Sequence, residues 1–436
     1  MSHLIINGGK KLRGEIINQS AKNSAVAIMC ASLMIDGKTT LSNIPQIEEV
    51  SRISELLSSI GVKVEKNSKG GIVLDSTGKL YLDKIDKKAS EATRSSLLLF
   101  GALASREMDY KLYKSGGCRL GQRTVRPHLY ALENFGVKVE SKSKYYDVKN
   151  RALKSAKVVM YESGDTSTEN VIMAAIFAHG KSVIKMASAN YMVQDLCYFL
   201  KKAGAKISGI GTTTLSIEGV NRLKPVKYSI MPDPIVAMTF ISAAILTGSH
   251  LTIKKCPIEF LELELCKLEK MGQKMEIKNE SGYHGGGPFK IVDIEVWPSK
   301  LKALPDKIYG RPFPGLNIDN LPLFIPILAK AHGRTMVHDW VYENRAIYSL
   351  DLKKLGADIT LIDTHRVWVE GPTSFKANEM ICPPALRPAV NVLISMLAAK
   401  GRSVLRNTYP IDRGYENIYE VLNKAGADIK VVKKIS

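Results

Sequence analysis

The chain has 436 residues, 45% of them hydrophobic and 24% charged, with a formal net charge of +20. These proportions exclude a disordered or fibrous chain and point to a globular protein of two or three domains. The positive charge raises the question of nucleic acid, but Lys and Arg are dispersed along the chain with no basic tail and no aromatic-basic motif. The surplus therefore reads as solvated surface together with a site for a small, multiply anionic substrate, and no nucleic-acid partner is expected. The opening MSHLIINGGKKLRG has no long apolar run of the secretory kind, and the longest apolar segments, such as residues 235–247, are too short and interrupted to span a bilayer. None of the six cysteines forms a C-x-x-C pair. No metal site, no disulfide framework and a reducing cytoplasm are the expectations.

In chain order, HLIINGG at residues 3–9 reads as a strand. A helix apolar all round follows, SAVAIMCASLMIDG at 24–37, then the β-prone KTTLSNIP and an amphipathic run ending in SIGVKVE. Gly61 in that phrase has the place of a helix C-cap leading into a strand. The same order then returns five times: SSLLLFGALAS (95–105) with NFGVKVE, NVIMAAIFAHG (170–180) with KAGAKIS, and IVAMTFISAAILTG (235–248) with KMGQKME. LPLFIPILAKAHG (321–333) with KLGADIT and PAVNVLISMLAAKG (388–401) with KAGADIK complete the series. The phrase glycines are Gly61, Gly136, Gly204, Gly272, Gly356 and Gly426, so one unit of buried helix, strand, loop, amphipathic helix and strand occurs six times. Helices apolar all round must be enclosed. Six of them divide into two groups of three, which predicts an α/β protein of two similar domains with three units each. The first domain spans residues 21–229. The second spans 1–20 plus 230–436, with KPVKYSIMPDP (224–234) as the linker and the HLIINGG strand pairing into the second half.

The starts of the buried helices carry unusual residues. Asp233-Pro234 is an ordinary cap with proline at the first position. Lys22-Asn23, Arg94 and Arg387 instead place a cation at or just before a helix start, where the dipole disfavours it. Such side chains can snorkel to solvent or pair with carboxylates, but three in equivalent places point to an anion between them. Asp319 has the matching place before the fifth helix, as a cap or as a general base on a hydroxyl. Arg345 and Arg413 sit in charged turns, where a surface ion pair is the plain alternative. SGGCRLGQRT at 115–124 puts Cys118 between paired glycines and Arg119 and Arg123, either as a glycine turn that contains a thiol or as a mobile segment carrying an activated one.

Together AKN at Ala21, TRSS at Thr93, GGC-x-x-G-x-R at Gly116, FP-x-x-x-x-D ending at Asp319, ENR at Glu343, LR at Leu386 and IDRGYE at Ile411 resemble the enolpyruvyl transferases. The likeness is to the branch whose acceptor is UDP-N-acetylglucosamine, and it runs nearly end to end. The resemblance implies two inside-out α/β barrels of three βαβαββ units each. It also implies transfer of the enolpyruvyl group of phosphoenolpyruvate to a sugar hydroxyl, with release of phosphate, in peptidoglycan precursor synthesis, and neither metal nor cofactor. By motif it makes Cys118 the general acid at the methylene carbon and Asp319 the base. Lys22, Arg123 and Arg413 become ligands of phosphoenolpyruvate, and Asn23, Arg94, Arg345 and Arg387 other cleft residues. The nucleotide side departs from the pattern: a lysine is replaced around Glu48, an aspartate by Arg126, a Lys-x-Ser-Val-Gly phrase by Glu162-Ser163-Gly164-Asp165-Thr166, and an aspartate by Ala385. These departures admit another nucleotide or sugar as the acceptor, and loss of the carboxylate at Ala385 also admits a non-catalytic binding homologue. With cations on both halves, the unliganded cleft is expected to be held open by their mutual repulsion.

Overall fold

The computed structural model describes residues 2–67, 70–106, 108–115 and 124–433. Six sheets surround two groups of buried helices. Three sheets come from the first half of the chain: Lys63–Lys66, Ile72–Asp75, Lys38–Ser42 and Val226–Ser229 make one. Another is built on Lys181–Lys185 and a three-stranded one on Tyr145–Lys149. The second half supplies the other three, and two of them take in strands from the N-terminus. His3–Gly8 lies between Gly401–Arg406 and Ile429–Val432, so the HLIINGG strand does pair into the second half. Glu15–Ile17 runs parallel to Leu251–Pro257. Strands such as Lys38–Ser42, Lys181–Lys185 and Thr214–Glu218 alternate buried and exposed positions, because one face covers helices and the other meets water. The architecture is a pair of α/β barrels turned inside out, with helices within and sheets outside.

The helices of the second barrel show how an apolar sequence is enclosed. In the Pro234–Thr247 helix every residue from Pro234 to Leu246 is buried. Asp233 caps its start, accepting from the Ile235 N–H at 2.8 Å, and Gly248 ends it in the left-handed conformation at φ 59°. It packs against Leu321–Lys330 and Leu386–Ala398. Pro326 lies inside the Leu321–Lys330 helix and has no N–H to offer the carbonyl four residues earlier. That carbonyl, Pro322 O, accepts from Asn391 Nδ2 at 2.6 Å, and Leu323 O accepts from the Ser242 hydroxyl at 3.1 Å. Asn391 thus sits where a neighbour's ladder is broken.

The first barrel departs from the predicted continuous helix at residues 95–105. A 3-10 segment, Arg94–Leu98, passes into a single α turn, Leu99–Ala102. The cause is Asn170, whose amide stands between Leu97 and Gly101: Nδ2 donates to Leu97 O at 3.0 Å and Oδ1 accepts from Gly101 N at 2.7 Å. A side chain inserted into an i→i−4 pair kinks a helix. Gly101 is needed there, since a Cβ would lie 2.4 Å from Asn170 O. The amphipathic run before Gly356 likewise adopts 3-10 geometry, Ala346–Leu355. The six phrase glycines all have positive φ, from 90° at Gly272 to 111° at Gly204.

Asn170→Ala would orphan two enclosed backbone groups and is expected to cost about 2–4 kcal/mol. Urea unfolding measures this. A loss under about 1 kcal/mol would mean that the two segments do not depend on the inserted amide.

Candidate active site

The chain passes between the barrels twice, and the two passes are bonded side by side. Ala21 N donates to Met231 O at 2.8 Å and Asp233 N to Gln19 O at 2.7 Å. The Lys22–Ala31 helix begins at this crossing. Its first residues face a cleft with two connected lobes that share Arg94, Asp165, Thr166, Asn190, Asn317, Ile318 and Tyr342.

The inner lobe, about 240 Å³, brings together Lys22, Asn23, Arg94, Asp319, Arg345 and Arg387. Six of the residues singled out in the sequence therefore share one site, from both halves of the chain. Arg413 ends the short Tyr409–Asp412 helix and is not among the residues that line this lobe. Cys118 and Arg123 lie outside the described residues.

The cations of the inner lobe are held by carboxylates. Lys22 Nζ is 2.6 Å from Glu49 Oε2, and the other Glu49 oxygen accepts from Thr93 Oγ1 at 2.9 Å and Ser95 Oγ at 2.7 Å. Burial alone raises the Glu49 pKa, but the Lys22 charge and these three hydrogen bonds outweigh it and hold it down to about 2. Opposite, Asp319 lies between Arg345 at 3.4 Å and Arg387 at 3.7 Å. It is not the helix cap: the Leu321–Lys330 helix is preceded by Asn320, which makes no side-chain cap. Arg345 is 3% exposed, which overturns the surface-pair alternative for it. It also bonds the Asp339 carboxylate and Ile318 O, and stacks 4.2 Å over the Tyr342 ring. Burial by itself lowers the Arg387 pKa, yet Tyr415, Asp319 and Asp233 reverse the shift and keep the guanidinium charged. Lys22, Arg345 and Arg387 each have an anionic partner, which offsets part of the repulsion expected among the cleft cations.

The outer lobe is larger, about 410 Å³, with an aromatic wall of Phe260, Phe313, Trp340 and Tyr342. Facing it is the start of the Asp165–Ile176 helix. A helix N-terminus is a ready anion site, but here Glu162 and Asp165 line it. Asp165 accepts from Ser188 Oγ at 2.5 Å and Asn190 Nδ2 at 3.2 Å. The cations of this lobe are Arg94, which donates to Thr124 O at 3.1 Å, and Arg311, 4.9 Å over Tyr309.

Sequence reasoning passed over Glu49, although its neighbour Glu48 drew attention. Glu48 turns outward to Arg52 and accepts from Tyr409 OH at 3.2 Å. On a helix start, adjacent residues face about 100° apart, so only the structure separates them. No group of His, Cys, Asp and Glu among the described residues is arranged to hold a metal ion.

The sequence profile described as EPSP synthase (3-phosphoshikimate 1-carboxyvinyltransferase) matches residues 6–422. The chain belongs to this carboxyvinyl (enolpyruvyl) transferase family. It is 33% identical over 429 residues to UDP-N-acetylglucosamine 1-carboxyvinyltransferase 2 of Caldanaerobacter subterraneus subsp. tengcongensis, covering 98% of this chain and 99% of that one. It is equally 33% identical to UDP-N-acetylglucosamine 1-carboxyvinyltransferase of Borrelia garinii subsp. bavariensis, covering 99% and 100%. Among solved structures, the enolpyruvyl transferase NikO from Streptomyces tendae superposes with TM-score 0.86 at 23% identity, over 99% of both chains. EPSP synthase from Acinetobacter baumannii does so with TM-score 0.80 at 19% identity, over 99% and 100%. These structures share the fold. No helix among the described residues of this transferase is long and apolar enough to cross a membrane.

Because the folded pKa of Glu49 is depressed, its stabilisation is present above the ordinary carboxylate value and lost as pH falls towards about 2. Glu49→Gln is expected to cost about 2–3 kcal/mol at neutral pH, measured by urea unfolding. The difference from wild type should shrink as the pH is lowered from about 5 to about 2; a difference constant over that range would contradict the ion pair.

Proposed function

We propose that this transferase moves the enolpyruvyl group of phosphoenolpyruvate to a hydroxyl of UDP-N-acetylglucosamine and releases phosphate, as a cytoplasmic step of peptidoglycan precursor synthesis. The observation that carries the reading is Asp319 set between Arg345 and Arg387 across from Lys22 and Arg94. The relatives that match from end to end support the choice of acceptor. Phosphoenolpyruvate brings a phosphate and a carboxylate, and a lobe rich in paired cations suits both. In the reaction the acceptor oxygen bonds to C2 of the enolpyruvyl group while C3 gains a proton. Loss of a proton from C3 and cleavage of the C2–phosphate bond then restore the double bond. Asp319, set between its two arginines, takes the proton of the hydroxyl. Cys118 supplies the proton to C3. Lys22, Arg123 and Arg413 bind phosphoenolpyruvate, and Asn23, Arg94, Arg345 and Arg387 order the cleft.

The division of labour follows a boundary between residues 21–229 and residues 1–20 plus 230–436. Strand pairing supports it, since Glu15–Ile17 and His3–Gly8 join sheets of the second half while Val226–Ser229 joins Lys38–Ser42. A second reading keeps the donor and changes the acceptor to another nucleotide or sugar. It is favoured by Glu162 and Asp165 at the helix start of the outer lobe, where a diphosphate would meet carboxylates.

Phosphate release from phosphoenolpyruvate tests both. The first reading expects release only with UDP-N-acetylglucosamine among UDP-sugars, nucleotides and nucleosides; release with a different acceptor supports the second, and release with none of them overturns both. Asp319→Asn is expected to lower kcat by about 10²–10⁴ while leaving phosphoenolpyruvate binding in place. Cys118→Ser should abolish turnover.

A further inference from the structure

Glu169 lies one turn beyond Asp165 on the Asp165–Ile176 helix and lines the inner lobe beside the apolar Val26, Leu98 and Met192. It is 3% exposed, and its Oε1 is fully enclosed with no hydrogen-bond partner among the described residues. A buried carboxyl without partners is rare, since the unmade bond leaves the desolvation cost uncompensated. The catalytic and binding roles assigned above make no use of it.

We propose that Glu169 donates a hydrogen bond from its carboxyl O–H to an anionic oxygen of the phosphate- or carboxylate-bearing ligand of the inner lobe. This rests on the reading of that lobe as the phosphoenolpyruvate site. A carboxylate in this place would repel such a ligand, whereas a neutral acid is a donor to it. Burial, and then the negative charge of Asp165, raise the Glu169 pKa well above the ordinary carboxylate value. The other groups on the elements around it do not draw its proton away. Cys30 and Cys197 are kept as neutral thiols by burial, and Lys22 is engaged by Glu49. Tyr191 is likewise kept neutral by burial, and His128 is bonded to Asn170. Arg94 faces the junction of the two lobes. Glu169 thus supplies a donor from the apolar floor of the lobe, opposite the cations of its walls. It is a donor that adds no charge.

Calorimetric titration of phosphoenolpyruvate, and separately of inorganic phosphate, into wild type, Glu169→Gln, Glu169→Leu and Glu169→Met at neutral pH tests the assignment. Glu169→Gln keeps a neutral donor and should bind within about twofold of wild type, while the two apolar variants should bind roughly tenfold or more weakly, the loss of one hydrogen bond to a charged group. Thermal unfolding checks that each variant is folded, and the two apolar replacements differ in shape so that one failing to fold leaves the other. Apolar variants that bind like wild type would make Glu169 merely structural. Glu169→Gln binding as weakly as they do, or several-fold more tightly than wild type, would mean that the residue is no neutral donor. If wild type binds neither probe, it is the reading of the lobe that falls; if it binds and the variants do not differ, only the role of Glu169 does.

Discussion

One buried carboxylate holds the two halves of this transferase in register. Asp233 caps the Pro234–Thr247 helix through Ile235 N, lies 3.4 Å from the first N–H of the Lys22–Ala31 helix, and has its own N–H bonded to Gln19 O. Its backbone carbonyl accepts from Asn18. Burial pushes its pKa up, while Arg387 and the N–H groups it accepts from work against that push. The start of a central helix of each barrel, the double crossing of the chain and a cation of the cleft therefore converge on one side chain. Lys22 and Arg387 both line the inner lobe beside this crossing.

The cleft is built at helix starts, and that choice has an electrostatic consequence. A cation at a helix N-terminus works against the dipole. The fold offsets this with carboxylates brought from elsewhere in the chain: Glu49 for Lys22, and Asp319 for Arg345 and Arg387. An anionic substrate therefore competes for cations already engaged by carboxylates. A site assembled this way favours ligands with more than one anionic group, since each must displace or share a carboxylate contact.

The two lobes differ in kind. The inner one is cationic and polar with an apolar floor. The outer one carries an aromatic wall and two carboxylates at a helix start. Of the departures quoted from the sequence, the phrase from Glu162 to Thr166 lines the outer lobe, whereas Glu48, Arg126 and Ala385 do not.

The sequence by itself determined the sixfold unit, because apolar periodicity and a glycine that must take positive φ are local properties, and it determined which helix starts carry cations, since those residues can be read in line. It could not determine where those charges find partners. Glu49 and Glu48 are neighbours, and the tertiary structure alone turns one to Lys22 and the other to Arg52. Asp319 had the place of a cap until the fold brought Arg345 and Arg387 to it. Asn170 and Asn391 stand in apolar helices, and each completes a helix ladder elsewhere, at Leu97 and Gly101 and at Pro322. The physical reason is the same each time. A polar group's energy depends on the partner it reaches within about 3 Å, and apart from the local Glu48–Arg52 pair that partner lies tens of residues away along the chain.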